Sequence, residues 1–387
     1  MIQSKLPDVG TTIFSVMSQL AAQHGAVNLG QGFPDFSPDS RLIEAVSQAM
    51  AEGFNQYAPM TGTPALRHAI AGKVVAVSGR AYDVEDEITV TSGATEALMA
   101  AVTAAAGPGD EVIVLEPAYD SYVPAIRLAG ATPVPVDMVP PDADLALYRP
   151  DWDRVRAAIT ERTRAIMLNF PHNPTGAVLQ ESDLDALEAM LRDTGILIIS
   201  DEVYEHILFD GVQQLSMASR PELAARSFVI SSFGKTLHTT GWKIGYCCAP
   251  RALSAEFRKI HQFIVYSVAT PVQNGIAAYL SANPLCYRDL APFYQQKRDR
   301  LANGLARTRL RPLPCPGTFF LLADYSAVSE LDQAAFSRWL TIEHGVTVIP
   351  VSAFHSMATS VTSRIVRLCF AKNDSTLDAA LERLEAL

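Results

Sequence analysis

Short apolar runs alternate with amphipathic stretches along most of this chain. The pattern predicts strands over 88–91, 111–115, 165–169, 196–200, 227–231 and 244–248, with helices over 95–106, 119–128 and 182–192. The Ala-rich helix from 95 stops at Gly107-Pro108-Gly109, a strong terminator. Strand and helix alternating across short loops predict a mainly parallel sheet covered by helices. Such sheets bind ligands at the carboxyl ends of their strands. The last hundred residues read differently, with strands over 319–322, 346–349 and 365–370 and helices over 333–343 and 376–387. They predict a smaller α+β domain, which the first forty residues are expected to join. The expected division is 1–45 with 283–387 as the small domain and 46–282 as the large one. No repeat, low-complexity run or long linker interrupts it.

Composition narrows the class. At 387 residues there is room for two domains and a large core. With 49% hydrophobic and 19% charged residues the chain is globular rather than disordered. A net charge of −10 argues against nucleic acid as a partner, which needs a basic face. It leaves room for small anions held by a few local cations. The first twenty residues carry no charged-then-apolar leader pattern, and no apolar run reaches bilayer length, so no membrane partner is expected. The five cysteines are odd in number, two are adjacent, and none has metal-ligand spacing. They are expected to be reduced thiols at or near the core of a cytoplasmic protein, with no metal.

The chemistry gathers at strand ends. Ser231-Ser232-Phe233-Gly234-Lys235-Thr236 follows the apolar run Phe228-Val229-Ile230. A P-loop would need glycine five residues before Gly234, and that position is Val229. Lys235 is therefore a Schiff-base lysine or an idle loop lysine. Asp201 closes a strand in Ser200-Asp201-Glu202-Val203-Tyr204. It either caps the next segment or pairs with a pyridinium nitrogen, keeping that ring an electron acceptor. Tyr204 and Asn173 are placed to donate to the ring oxygen of such a cofactor, although Asn173-Pro174 is also ordinary turn chemistry. Gly93-Ala94-Thr95 opens a helix after a strand, where free N–H groups and the helix dipole favour a phosphate. Ser232 adds a hydroxyl, Lys243 a cation, and Tyr119 an aromatic face at another strand exit. Arg367 falls on the face of its strand that carries Ile365 and Cys369, where an unpaired charge is costly. Its partner is a structural carboxylate or that of a substrate, which the guanidinium fork grips bidentately. Arg364, on the opposite face, is expected in solvent.

Taken together, Gly30-Gln31-Gly32-Phe33-Pro34-Asp35-Phe36, Asn173-Pro174-Thr175-Gly176, Ser200-Asp201-Glu202-Val203-Tyr204 and Ser232-Phe233-Gly234-Lys235 resemble the class I/II aminotransferases. These are pyridoxal 5'-phosphate (PLP) enzymes of the aspartate aminotransferase fold. The resemblance runs from about Leu6 to Leu387. Within that family, Asn55-Gln56-Tyr57-Ala58-Pro59-Met60-Thr61-Gly62, Thr240-Gly241-Trp242-Lys243-Ile244-Gly245-Tyr246 and Ala323-Asp324-Tyr325-Ser326 resemble bacterial methionine aminotransferases, with kynurenine aminotransferases as near relatives.

The resemblance implies a type I PLP-dependent transferase fold, α/β, with a mainly parallel seven-stranded sheet plus the small α+β domain. It implies that Lys235 holds the cofactor aldehyde and moves the proton. Asp201 pairs with the ring nitrogen, Asn173 and Tyr204 contact the ring oxygen, and Tyr119 stacks. Gly93, Ala94, Thr95, Ser232 and Lys243 match the phosphate site. Tyr57 matches a tyrosine that reaches the phosphate of the partner subunit, implying a homodimer with shared sites. Gly32, Asn173 and Arg367 match the substrate carboxylate site. Lys243 stands where aspartate aminotransferases carry arginine, as in kynurenine-type relatives. Phe263-Ile264-Val265-Tyr266-Ser267 lacks the arginine that aspartate aminotransferases lend across the dimer. An apolar side-chain pocket is the consequence, favouring methionine and other large apolar or aromatic amino acids as donors to a 2-oxo acid. A kynurenine/glutamine-type enzyme with cysteine-conjugate β-lyase activity is the alternative.

Overall fold

The computed structural model describes residues 2–142, 146–356 and 362–387. The short strand β1 (Val27–Asn28) comes first and belongs to the smaller layer. The main sheet is built from β2 (Ile88–Thr91), β3 (Glu111–Glu116), β4 (Thr132–Asp137), β5 (Thr163–Asn169), β6 (Leu197–Asp201), β7 (Ser227–Ser232) and β8 (Gly245–Cys248). Its order is β2-β8-β7-β6-β5-β3-β4. Pairs β7–β6, β6–β5, β5–β3 and β3–β4 are parallel, and β8 runs antiparallel to both β7 and β2. Because β8 is reversed twice over, β2 points the same way as the parallel strands. The carboxyl ends of β2, β3, β5, β6 and β7 therefore share one edge, joined by the start of β8.

Residues of β2, β3, β5 and β6 are almost all buried, which is why these strands read as continuous apolar runs rather than as alternating ones. The exception is β4, TPVPVD, an edge strand that is largely exposed. Its two prolines, which a central strand would not accept, erased its signal in the sequence.

The second sheet is β12 (Ile349–Pro350), β13 (Ile365–Cys369), β10 (Phe320–Asp324) and β9 (Arg311–Pro312), all antiparallel. The strand expected over 346–349 is two strands: β11 (Val346–Thr347) pairs with β1, while β12 joins β13. One apolar run thus serves two sheets. The expected helix 119–128 begins later, at Tyr122. A separate apolar cluster, including Phe319, Phe336, Val366, Leu368 and Phe370, lies under this sheet, apart from the cores on the two faces of the main one. Val203, Tyr204 and Ile207, which follow β6, belong to that second cluster and tie the layers together at the shared edge. Among the described residues no helix is long and apolar enough to cross a membrane, and all five cysteines are unpaired.

Candidate active site

The shared strand edge opens into a cavity of about 280 Å³. Gly32, Gly93, Ala94, Thr95, Tyr119, Asn173, Asp201, Tyr204, Ser232, Lys235, Lys243 and Arg367 all line it. Tyr57 does not. It stands on the surface, 81% exposed, with its ring edge-on to Tyr266 at 5.3 Å. Phe263 is also exposed, at 85%.

Lys235 sits in the single helical turn Phe233–Thr236 that follows β7. Its amine donates to the Gly32 carbonyl at 3.1 Å and lies 5.5 Å and 5.0 Å from the Tyr204 and Phe319 ring centroids. Burial, aided by the positive charges of Arg367 and Lys243, pulls its pKa down to about 8. A substantial neutral fraction is thus available near neutral pH.

Asp201, at the end of β6, is buried and accepts from the Tyr122 hydroxyl at 2.7 Å. Burial pushes its pKa up to about 6, against the opposing hydrogen bond from Tyr122. A carboxylate so placed gains by meeting a cationic ring nitrogen. Neither Tyr122 nor Asn169 was legible as a site residue. The Asn169 side chain donates to the Asp201 carbonyl at 2.9 Å and accepts from the Asn173 backbone N–H at 2.8 Å, locking two strand ends together. The polar end of the apolar strand 165–169, four residues before Asn173, was the available signal. Tyr122 offered none beyond its spacing from Tyr119.

Arg367 is 1% exposed, yet its hydrogen bonds go to neutral partners: the Asn173 side-chain oxygen at 2.7 Å and the Gly30 carbonyl at 2.8 Å. Its Nε has no partner, and among the described residues no carboxylate lies within ion-pair distance. Burial lowers its pKa to about 10. The guanidinium is stacked 3.9 Å from the Phe320 centroid, with Phe354 at 5.0 Å and Phe14 at 5.2 Å. The structural-carboxylate reading is thereby removed; the arginine faces the cavity with donor capacity left over. Arg364, as expected, is on the outer side, paired with Glu330.

The opposite end of the cavity is suited to an anion. The helix Gly93–Ala105 begins there, and Ser92 makes no side-chain cap to it. Gly93 has φ +74°, and a Cβ on it would come within 3.2 Å of the Lys243 amine. At Gly245 a Cβ would be 2.8 Å from the Ala94 nitrogen and 2.9 Å from the Ser231 carbonyl, so only glycine lets helix start and strands meet. Ser232 caps the Lys235 turn by accepting from the Gly234 N–H at 3.1 Å. Tyr119 is half-buried at the cavity wall, edge-on to Tyr122 at 5.7 Å.

A helix start beside Lys243, a lysine without an ion-paired carboxylate and a buried carboxylate thus line one small cavity, the residue types suited to a phosphate, an aldehyde and a ring nitrogen. Residues 25–384 match the family model for aminotransferase class I and II. The chain belongs to the class I and II aminotransferases. It is similar to the methionine aminotransferase of Escherichia coli, at 52% identity over all of this chain and 98% of that one. A solved Escherichia coli structure reported to have methionine aminotransferase function superposes with a TM-score of 0.96, at 51% identity and full coverage of both chains. The kynurenine–oxoglutarate transaminase of Dictyostelium discoideum is 34% identical, covering 97% of this chain and 94% of that one. The enzyme is a transaminase, and its family uses pyridoxal phosphate, which the residues of this cavity fit.

Proposed function

We propose that this aminotransferase takes the amino group of methionine, and of other large apolar or aromatic amino acids, and passes it to a 2-oxo acid. The observation that carries the reading is Arg367, buried with unused donor capacity among Phe14, Phe320 and Phe354. It offers a clamp for the α-carboxylate shared by all amino acids, walled by rings that suit an apolar side chain. The identity to an enzyme named for methionine supports the same choice.

When bound, pyridoxal phosphate supplies the electron sink that accepts the pair left when the substrate Cα loses its proton. Ala94, Thr95, Ser232 and Lys243 would hold the phosphate, with Gly93 leaving the Lys243 amine unobstructed. Asp201, fixed by Tyr122, keeps the ring nitrogen protonated, and Tyr119 covers the ring. Asn173 and Tyr204 donate to the ring oxygen. Arg367, Asn173 and Gly32 orient the substrate carboxylate. Lys235 would hold the cofactor aldehyde and, as the free amine, would take the substrate Cα proton and return it at the C4′ carbon. Its depressed pKa suits it to act as base near pH 8.

The exposed Tyr57 and Phe263 support a homodimer in which Tyr57 reaches the partner's phosphate site. The separate apolar cluster under the second sheet supports the division into 46–282 and 1–45 with 283–387. Five unpaired cysteines support a cytoplasmic setting.

An amino-donor panel with 2-oxoglutarate and 2-oxo-4-methylthiobutanoate as acceptors tests the reading. Methionine, leucine and the aromatic amino acids are expected to exceed aspartate in kcat/KM by about tenfold or more, because among the described residues no second arginine lines the cavity to meet a side-chain carboxylate. Aspartate as the best donor would overturn it.

A further inference from the structure

We propose that Glu116, Asp137 and His355 form a zinc-type divalent-cation site at the seam between the main sheet and the turn 351–356. Glu116 and Asp137 are register partners at the ends of the parallel strands β3 and β4. Two carboxylates side by side repel unless a cation lies between them. Among the described residues, the basic group within ion-pair distance of either is His355. Its Nδ1 lies 3.6 Å from Glu116 Oε2 and 3.3 Å from Asp137 Oδ1. The imidazole is only 9% exposed, and neither ring nitrogen has a hydrogen-bond partner.

The three ligand atoms lie within 4.8 Å of one another. With zinc bonds of about 2.1 Å to nitrogen and oxygen, a tetrahedron has edges of about 3.4 Å, which the two histidine separations bracket. Glu116 is already oriented: its Oε1 accepts the Ser356 N–H at 2.9 Å, leaving Oε2 toward His355. That is the kind of outer support metal-bound carboxylates have. Asp137, 59% exposed, opens the fourth position to water. One imidazole with two carboxylates suits zinc or cobalt better than magnesium or calcium, which prefer oxygen alone.

The consequence reaches the active site. The Ala118 N–H donates to the Phe354 carbonyl at 2.7 Å, and the Phe354 ring sits 5.0 Å from the Arg367 guanidinium. A cation at this seam would tie β3 and β4 to the turn that carries one wall of the substrate site.

The test is titration of chelator-stripped holoenzyme with zinc in competition with a chromophoric chelator, and with cobalt followed in the visible spectrum. One equivalent per chain and the intense bands of four-coordinate cobalt are expected. His355→Gln and the surface variant Asp137→Asn should each weaken binding by more than the roughly 10- to 100-fold typical of losing an outer-shell partner. Asp137 is exposed enough that its variant folds, so it keeps the test valid if His355→Gln does not. Absence of a bound equivalent overturns the proposal, as does zinc binding unchanged in both variants. A melting temperature that depends on His355 and on pH but not on zinc also overturns it, leaving an ion pair alone.

Discussion

Two lysines flank strand β7, Lys73 buried and Lys235 half-buried, and they meet opposite fates. Lys73, from the helix Pro64–Ser78, donates to Glu205 at 2.5 Å and to the Tyr246 hydroxyl at 2.7 Å. Glu205 also accepts from Tyr246 at 3.1 Å and from Ser231. Burial would raise the Glu205 pKa, but Lys73, together with His206 and the Ser231 hydrogen bond, outweighs it and lowers the value to about 2. Lys235 has a carbonyl at 3.1 Å and two ring faces, and among the described residues no carboxylate is within ion-pair distance. Ser231 and Ser232 are successive residues of β7, so one serves the ion pair behind the strand and the other the cavity in front. Burial alone does not make a lysine reactive. Lys73 is buried and neutralised, and it serves as structure. Lys235 is desolvated with no carboxylate at ion-pair distance among the described residues, so its neutral form is within reach.

Exchanging these roles by mutation gives the largest effects. Lys235→Ala should lower turnover by more than about 10⁴-fold, the upper range for a lost general base, while the fold stays intact. Retained transamination would end the assignment. Lys73→Met should instead destabilise the fold by about 3–5 kcal/mol, because Glu205 is left charged and buried. Urea unfolding reads this out, and adding Glu205→Leu should restore most of the loss.

Arg367 extends the comparison, being a second fully buried cation, with no carboxylate at ion-pair distance among the described residues. Arg367→Lys should lose about 1.5–3 kcal/mol of carboxylate binding, seen as a KM for methionine raised roughly 10- to 150-fold. The smallest effect is in pH dependence. The neutral amine is the nucleophile and the Lys235 pKa is lowered, so capture of the cofactor by stripped enzyme should quicken with pH up to about 8 and then level off. A rate still climbing at the ordinary lysine pKa would contradict the environment described for Lys235.

The contrast between the lysines was only half legible in the sequence. Lys235 announced itself by its place after an apolar strand among small residues. Lys73 carried no signal at all in the sequence; its distant partner Glu205 makes it structural. Arg367 was recognisable as a charge on an apolar strand face. Its lack of a carboxylate partner was not, since that depends on everything folded around it. Tyr122 and Asn169 were hidden for a similar reason. Each is an unremarkable residue type whose role comes from the strand end it meets. The edge strand β4 was masked by its own prolines, and the split of 346–349 by an apolar run that continues across two sheets.

The central claim is that Lys235, and not Lys73, holds the cofactor. The most direct test is borohydride reduction of the PLP-loaded enzyme followed by peptide mapping by mass spectrometry. The expected result is a single pyridoxyl adduct on Lys235, with Lys73 unmodified. A stoichiometric adduct on Lys73 or on any other lysine, with Lys235 free, would contradict it.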